Sequence, residues 1–172
     1  MTISLESLNE ICSNLTELLK ESDSGLWQEE ENDSWYIAMG AEATLRLYTS
    51  DSVIVIAESD KGGKEFLLFE STEAEAVELF LARLLCMHIR GDADLPMLLV
   101  VPIPLTLKDT APGFVLASDG PVSTLTETAT GKIYRGDDLD LVVFSHYAKM
   151  TPREIREAYA APEGKPPFFP LT

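Results

Sequence analysis

The hydrophobic period of the chain changes along its length, and these changes constrain the fold more than any other sequence feature. Residues 4–21 place leucine and isoleucine at spacings of three and four, which predicts an amphipathic helix with Ser4 as its N-cap. Over residues 26–71 the apolar runs become short and rich in β-branched and aromatic residues, and turn residues such as Ser50-Asp51 separate them. This stretch predicts an antiparallel meander of four or five strands.

A second helical stripe follows the meander. Thr72 and Glu75 have the spacing of a capping box, and apolar residues recur on one face until Gly91, where the helix is expected to end. The preceding runs at residues 53–56 and 66–69 are apolar at successive positions. We therefore expect these strands to be covered on both faces, with the helix as one cover.

The last part of the chain returns to strands and closes with a helix. Prolines 96, 102, 104 and 112 exclude a long helix over residues 92–118 and favour an extended apolar segment at a sheet edge. Further strands are predicted at residues 114–116, 122–127, 133–134 and 139–144. Thr151, Pro152 and Glu154 have the pattern of a helix start, and Pro162 ends that helix.

This order of elements predicts the fold class. A helix, a meander, a helix, more strands and a helix indicate an α+β fold rather than β-α-β repeats. The 172 residues fit a single domain, residues 1–172. Its parts are an N-terminal helix and acidic meander over residues 1–71, a central helix over residues 72–91, and a second strand set with a C-terminal helix over residues 92–172.

Acidic residues are concentrated in one half of the chain. Residues 1–86 contain 18 acidic and 5 basic side chains, a net charge of −13, whereas residues 87–172 have a net charge of −3. Carboxylates repel phosphate, so neither nucleic acid nor an anionic membrane is expected as a partner. A basic protein surface is the natural complement, and solubility is the alternative explanation of the acidity.

The N-terminus lacks the basic and apolar regions of a signal peptide, and no segment approaches the ~18 apolar residues of a membrane span. A cytoplasmic location is therefore expected.

The residues give little sign of catalytic chemistry. His88 lies near the end of the central helix, where a structural role is expected, and Ser145 and His146 are adjacent, so in a strand they would point in opposite directions. If a short helix begins there, Ser145 would be its N-cap. The aspartates at 137, 138 and 140 lack the glycine and the terminal glutamate of a calcium loop. The sequence predicts no enzyme, no metal site and no cofactor.

Binding to a protein partner accounts for the sequence better. Trp27 lies beside a run of carboxylates, and an aromatic anchor in that setting is typical of surfaces that bind a basic partner. The hairpin tip after residue 59 contains two glycines, which allow close backbone approach. The predicted partner-binding residues are Trp27, Glu29, Glu30, Glu31, Asp33, Asp60, Lys61, Gly62 and Gly63. A buried, structural role is the alternative for Trp27.

The C-terminal half resembles a known family. The features that carry the resemblance are RLLCMHIRGDADLP at 83–96, APGF at 111–114, TATGK at 128–132, LDLVVFSHYAKM at 139–150 and EAYAAPEGKPPF at 157–168. Together they resemble the bacterial immunity proteins that neutralise NAD-glycohydrolase toxins of the tuberculosis necrotizing toxin type. The pattern covers residues 81–169, and its positions are mostly turn and capping residues, so they identify a fold more securely than a binding site.

The resemblance implies a cytoplasmic, non-catalytic antitoxin that binds its cognate secreted toxin one to one and blocks the NAD-binding cleft. Two alternatives stay open. A small acidic secretion chaperone would have the same length and charge, but it would dimerise and bind an unfolded effector segment. An enzyme centred on His146, with an aspartate from residues 137–140, is the other.

Overall fold

The computed structural model describes residues 5–29, 31, 33–40, 43–60, 63–100, 105–118 and 120–171. The helices are α1 (Leu5–Asn14), α2 (Thr16–Glu21), α3 (Ala74–Asp92), α4 (Asp138–Tyr147) and α5 (Pro152–Ala160). The strands are β1 (Gly25–Glu29), β2 (Ser34–Met39), β3 (Ala43–Ser50), β4 (Val53–Asp60), β5 (Phe66–Ser71), β6 (Leu98–Leu99), β7 (Phe114–Ala117), β8 (Ser123–Glu127), β9 (Ile133–Gly136) and β10 (Phe169–Pro170).

Eight strands form one antiparallel sheet in the order β1-β2-β3-β4-β5-β9-β8-β7. The first five strands follow chain order, so the predicted meander is confirmed with five strands. The later strands extend the same sheet through the pairing of β9 with β5, and β6 and β10 form a separate two-stranded ribbon. The predicted α+β class is confirmed.

The two faces of the sheet differ in what covers them. Side chains of one parity, such as Ile37, Leu47, Ile56 and Phe69, are at most 1% exposed and belong to the same buried cluster as residues of all five helices. Cross-strand partners share a face because side chains alternate along each strand. The described helices therefore pack on one face, and the opposite face, which we call the open face, carries the alternate residues of each strand.

Successive turns of the meander lie at opposite ends of the sheet. Strands β1, β3 and β5 run in one direction and β2 and β4 in the other. The turns after β1 and β3 and the start of α3 therefore lie at one end, and the turns after β2 and β4 at the other. Asp51 and Ser52 both have positive φ, 46° and 66°, which is the geometry of a two-residue hairpin and agrees with the turn expected at Ser50-Asp51.

The strand predicted at residues 139–144 is wrong, because this segment forms helix α4. The Asp137 side chain accepts hydrogen bonds from the backbone N–H groups of Leu139 and Asp140 and thereby caps the helix. The apolar residues are consecutive because α4 is buried on more than one side, so helical periodicity is hidden. Ser145 consequently lies in the last turn of α4 and is not the N-cap of a further helix.

Three helix boundaries also differ from the sequence pattern. The N-terminal helix is interrupted at Leu15, so it forms α1 and α2, and its expected cap Ser4 lies outside the described residues. The capping box expected at Thr72 and Glu75 is wrong: α3 has Glu73 as N-cap, and the Ser71 hydroxyl accepts from the Glu73 N–H at 3.0 Å. Helix α3 continues past Gly91 to Asp92.

The capping box that begins the last helix is confirmed. Thr151 Oγ1 accepts from the Glu154 N–H, and the Glu154 carboxylate accepts from the Thr151 N–H at 2.7 Å.

The expectation of cover on both faces needs correction. Val55 and Ala57 are 4% and 3% exposed but lie on the open face, outside the helix-packed cluster. Their cross-strand partners on β3 are Tyr48 and Arg46. Long side chains of the sheet itself therefore provide the second cover, and in the described part of the chain no helix does.

Candidate functional site: the open face and the ends of the sheet

A row of aromatic and cationic side chains crosses the open face. Trp27, Tyr36 and Arg46 are successive cross-strand partners on β1, β2 and β3, and Tyr48 lies two residues beyond Arg46 on the same face. The rings of Trp27 and Tyr36 are stacked with centroids 5.4 Å apart and planes 10° apart. The Arg46 guanidinium lies 5.9 Å from the Tyr36 centroid and 4.5 Å from the Tyr48 centroid. We call these four residues the aromatic row.

Hydrogen bonds hold the aromatic row in place. Arg46 Nε donates to the Ser34 hydroxyl at 3.1 Å, and Arg46 Nη1 lies 3.4 Å from the Glu65 carboxylate. The Tyr36 hydroxyl donates to the Glu29 carboxylate at 3.1 Å. These bonds hold the two central members of the row, Tyr36 and Arg46, in place. Its members are of the types that dominate binding energy at protein interfaces, namely tryptophan, tyrosine and arginine.

The predicted acidic residues of the β1–β2 turn lie at the end of this row. Glu29, Glu31 and Asp33 are exposed, and Asp33 has a positive φ of 50°. Trp27 is 43% exposed, so the structural alternative for this residue, a core tryptophan, is wrong. Glu30 lies outside the described residues. The structure thus brings Trp27 and the described carboxylates of this turn together.

The hairpin tip is at the other end of the sheet. Asp60 pairs with Ala43 at the start of β3, whereas Glu29 is level with Tyr48, five residues further along that strand. At 3.3 Å per residue, the two predicted clusters are about 17 Å apart along the strands, and they are further separated across them. Gly63 is exposed, and Lys61 and Gly62 lie outside the described residues. The structure does not bring the tip and the acidic turn together.

A recess of about 450 Å³ lies beside the start of α3, and its lining includes Lys132, Arg135, Glu70 and Glu73. Lys132 Nζ is 2.7 Å from the Glu73 carboxylate, a hydrogen bond that raises the pKa of Lys132. Arg135 pairs with Glu70 across β5 and β9. Because each cation already has a carboxylate partner, this recess offers no uncompensated charge to an anion.

The histidines are engaged with nearby groups. His146 Nε2 lies 2.6 Å from the carbonyl oxygen of Asp109; because a carbonyl only accepts, Nε2 carries the proton and donates. Asp137 caps the other end of α4, nine residues away or about 13 Å along the helix. The Ser145 hydroxyl donates to the Val142 carbonyl and accepts from the Ala111 N–H. His88 Nε2 is 3.6 Å from Asp92.

Side chains with strongly shifted pKa values lie in the interior. Burial raises the pKa of both Cys12 and Cys86 to about 12, which keeps these thiols protonated. Burial also raises the pKa of Asp140, and the nearby Arg83 opposes that rise.

Among the described residues, no group of three or more His, Cys, Asp and Glu side chains is arranged to hold a metal ion. In the same ranges, no helix is both long and apolar enough to cross a membrane.

Three residues of the aromatic row were missed by sequence reasoning. Tyr36, Arg46 and Tyr48 lie at alternate positions of β2 and β3, opposite in parity to the buried Ile37, Leu45 and Leu47. The alternation of side chains along a strand could have separated these open-face residues from the buried ones. The register between the strands then determines which open-face residues lie side by side. The register itself depends on turn geometry that the sequence leaves open.

The fold and this surface describe an α+β protein with helices on one side of the sheet and an ordered aromatic row on the other. The chain belongs to the family described as Immunity protein 61, whose model matches residues 19–167. This confirms the resemblance to immunity proteins. The fold is also that of Rv3902c from M. tuberculosis, with a TM-score of 0.78 at 19% sequence identity over 92% of this chain and 93% of the other. No curated protein matches the chain.

Proposed function

We propose that this chain is a cytoplasmic immunity protein that binds a cognate secreted NAD-glycohydrolase toxin one to one and blocks its NAD-binding cleft. It would do so without catalysing a reaction and without a cofactor. The observation that carries the proposal is the family match over residues 19–167. The toxin class rests on the resemblance of residues 81–169 to immunity proteins of that type.

The proposed contact surface contains the acidic turn and the hairpin tip. Its residues are Trp27, Glu29, Glu30, Glu31, Asp33, Asp60, Lys61, Gly62 and Gly63. Because these clusters lie at opposite ends of the sheet, a single toxin domain that touches both must extend along the molecule. A standard interface covers about 800 Å² on each partner, which is enough to span a strand of eight residues.

Each cluster has its own role in the proposal. The carboxylates attract a cationic toxin surface and orient it during the encounter. Gly62 and Gly63 lack side chains, which would let the backbone of this segment approach the walls of a substrate cleft closely. Exclusion of NAD then follows from occupancy of the cleft, and the immunity protein needs no reactive group.

The experiment uses the toxin domain encoded by the gene beside the one for this chain. The full-length chain is co-expressed with that domain in bacteria, and growth, cellular NAD and complex formation are measured. We expect rescue of growth, preserved NAD and a one-to-one complex by light scattering. In vitro, the chain should inhibit NAD hydrolysis, and its apparent affinity should fall as the NAD concentration rises.

Each part of the proposal has an outcome that contradicts it. Absence of both rescue and a stable complex would overturn the immunity function. A stable complex that leaves NAD hydrolysis unchanged would overturn the cleft-blocking mechanism alone. A dimer that binds only an unfolded segment of the toxin would indicate a secretion chaperone instead.

A further inference from the structure

We propose that Trp27 is the recognition residue of this surface and that its indole ring binds a lysine or arginine side chain of the toxin domain. The inference rests on the proposed function, because it names the chemistry by which the same partner is held. It differs from the acidic-turn proposal in assigning binding energy to an aromatic face of the sheet.

The position of Trp27 in the aromatic row supports this assignment. The Arg46 guanidinium already lies over the rings of Tyr36 and Tyr48, and Tyr36 stacks on Trp27. Strand β1 is the edge of the sheet in the described part of the chain, so the row ends at Trp27, which is 43% exposed. A cation from a partner would add a second cation–ring contact at this edge, beside the contacts that Arg46 makes within the row. Tryptophan is the best side chain for this contact.

The charges around Trp27 favour a cationic partner group. Glu29 lies on the same face two residues further along β1, and Glu31 and Asp33 are exposed in the following turn. A second copy of this chain would bring one net charge of −16 against another, which opposes self-association through this end. A basic side chain on a folded toxin domain would contact the indole ring and would be attracted by the negative charge of these carboxylates.

The order already present in the row lowers the cost of binding. Tyr36 and Arg46 are fixed by their bonds to Glu29, Ser34 and Glu65, so few rotamers are lost when a partner docks. The stacking on Tyr36 holds the Trp27 ring in its exposed position. Binding energy is therefore expected to concentrate at Trp27.

The test measures binding of the adjacent-gene toxin domain to full-length variants by surface plasmon resonance. We expect Trp27→Ala to weaken the affinity by about thirtyfold or more, mainly through faster dissociation. Trp27→Leu keeps an apolar side chain but removes the aromatic ring, so its affinity should fall as far as that of Trp27→Ala. Trp27→Phe keeps an aromatic ring, so its affinity should fall by about tenfold or less. The control Val115→Ala changes a residue that is 57% exposed at the other edge of the open face, and it should stay within twofold.

A double-mutant cycle identifies the cation. Each exposed lysine and arginine of the toxin domain is replaced by methionine and measured against wild-type chain and Trp27→Ala. One of these substitutions should lose its effect when Trp27 is already absent. Thermal unfolding of each variant shows whether the fold is kept.

If Trp27→Ala folds and binds within threefold of the wild-type chain, this inference is wrong while the proposed function stands. Equal affinities of Trp27→Leu and Trp27→Phe, or the absence of any coupled cation, would also overturn it. If the wild-type chain binds no toxin domain, the proposed function fails and the inference fails with it.

Discussion

The Arg90 guanidinium donates a hydrogen bond to the carbonyl oxygen of Tyr159 at 2.7 Å, although 69 positions separate the two residues in the chain. It also donates to the carbonyl oxygens of Pro96, Ala161 and Pro162 at 2.5, 2.8 and 2.5 Å. Arg90 is only 3% exposed. One buried side chain therefore joins the end of α3 to the end of α5 and to the segment before β6.

Arg90→Met should destabilise the fold strongly. The substitution keeps much of the side-chain volume but leaves four carbonyl groups without this donor, so we expect the free energy of unfolding to fall by about 3 kcal/mol or more. Urea denaturation measures the change. Arg153→Met removes an exposed arginine from α5 and should cost less than about 0.5 kcal/mol. Equal stabilities of the two variants would contradict this role for Arg90.

Gly136→Ala should disrupt the junction between β5 and β9. A Cβ at this position would overlap the carbonyl oxygen of Leu68, which belongs to the backbone and cannot turn away. We expect a loss of about 3 kcal/mol or a failure to accumulate folded protein. Gly91→Ala is the matched control: a Cβ meets nothing within 4 Å in helix α3, so this variant should gain about 0.5–1 kcal/mol. Thermal unfolding of both variants tests the prediction, and a stable Gly136→Ala would contradict it.

The predictable parts of the fold are those with local causes. The Thr151 capping box depends on residues three apart, and the turn at Ser50-Asp51 depends on its own backbone, so both could be recognised in the sequence. The sequence pattern of helix α4 predicts a strand because burial on several sides removes its helical periodicity. Arg90 could not be recognised, because its partners are up to 72 residues away and are main-chain atoms with no sequence signature.

The part of the candidate site that the sequence predicts also has local causes. Trp27 and the adjacent carboxylates are neighbours in sequence, so composition alone suggested them. The separation of the acidic turn from Asp60 could have been predicted from the sequence, because the turns after the first and the fourth strand of an antiparallel meander lie at opposite ends of the sheet. The meeting of Tyr36 and Arg46 depends on the register between β2 and β3, which is a tertiary property.

Glu78→Gln should raise stability at neutral pH. Burial raises the pKa of Glu78, and the charges of Glu10 and Glu75 add to the rise. The folded state therefore binds this proton more tightly than the unfolded state, so the ionised carboxylate costs stability as pH increases through the raised pKa. Glutamine removes the charge and keeps an acceptor for Asn14 Nδ2, which donates to Glu78 at 2.8 Å.

The measurement is the melting temperature of Glu78→Gln and wild type at two pH values. The variant should melt higher at pH 7, and the difference should vanish below about pH 4, where the carboxyl group is protonated in both states. Glu17→Gln makes the same change of charge at an exposed site paired with Lys20 and should show no such gain. A gain that persists at low pH would assign the effect to another cause.

Glu29→Gln with Glu31→Gln separates electrostatic steering from direct contact. If these carboxylates only attract the toxin domain, the association rate at low salt should fall by about threefold to tenfold, its dependence on ionic strength should weaken, and the dissociation rate should not change. The control Glu6→Gln with Glu17→Gln removes the same charge from the helical layer, and both rates should stay close to wild type. Stopped-flow measurements at several salt concentrations give both rates.

Faster dissociation would mean that the carboxylates are buried at the interface, and no change in either rate would remove the acidic turn from the binding surface.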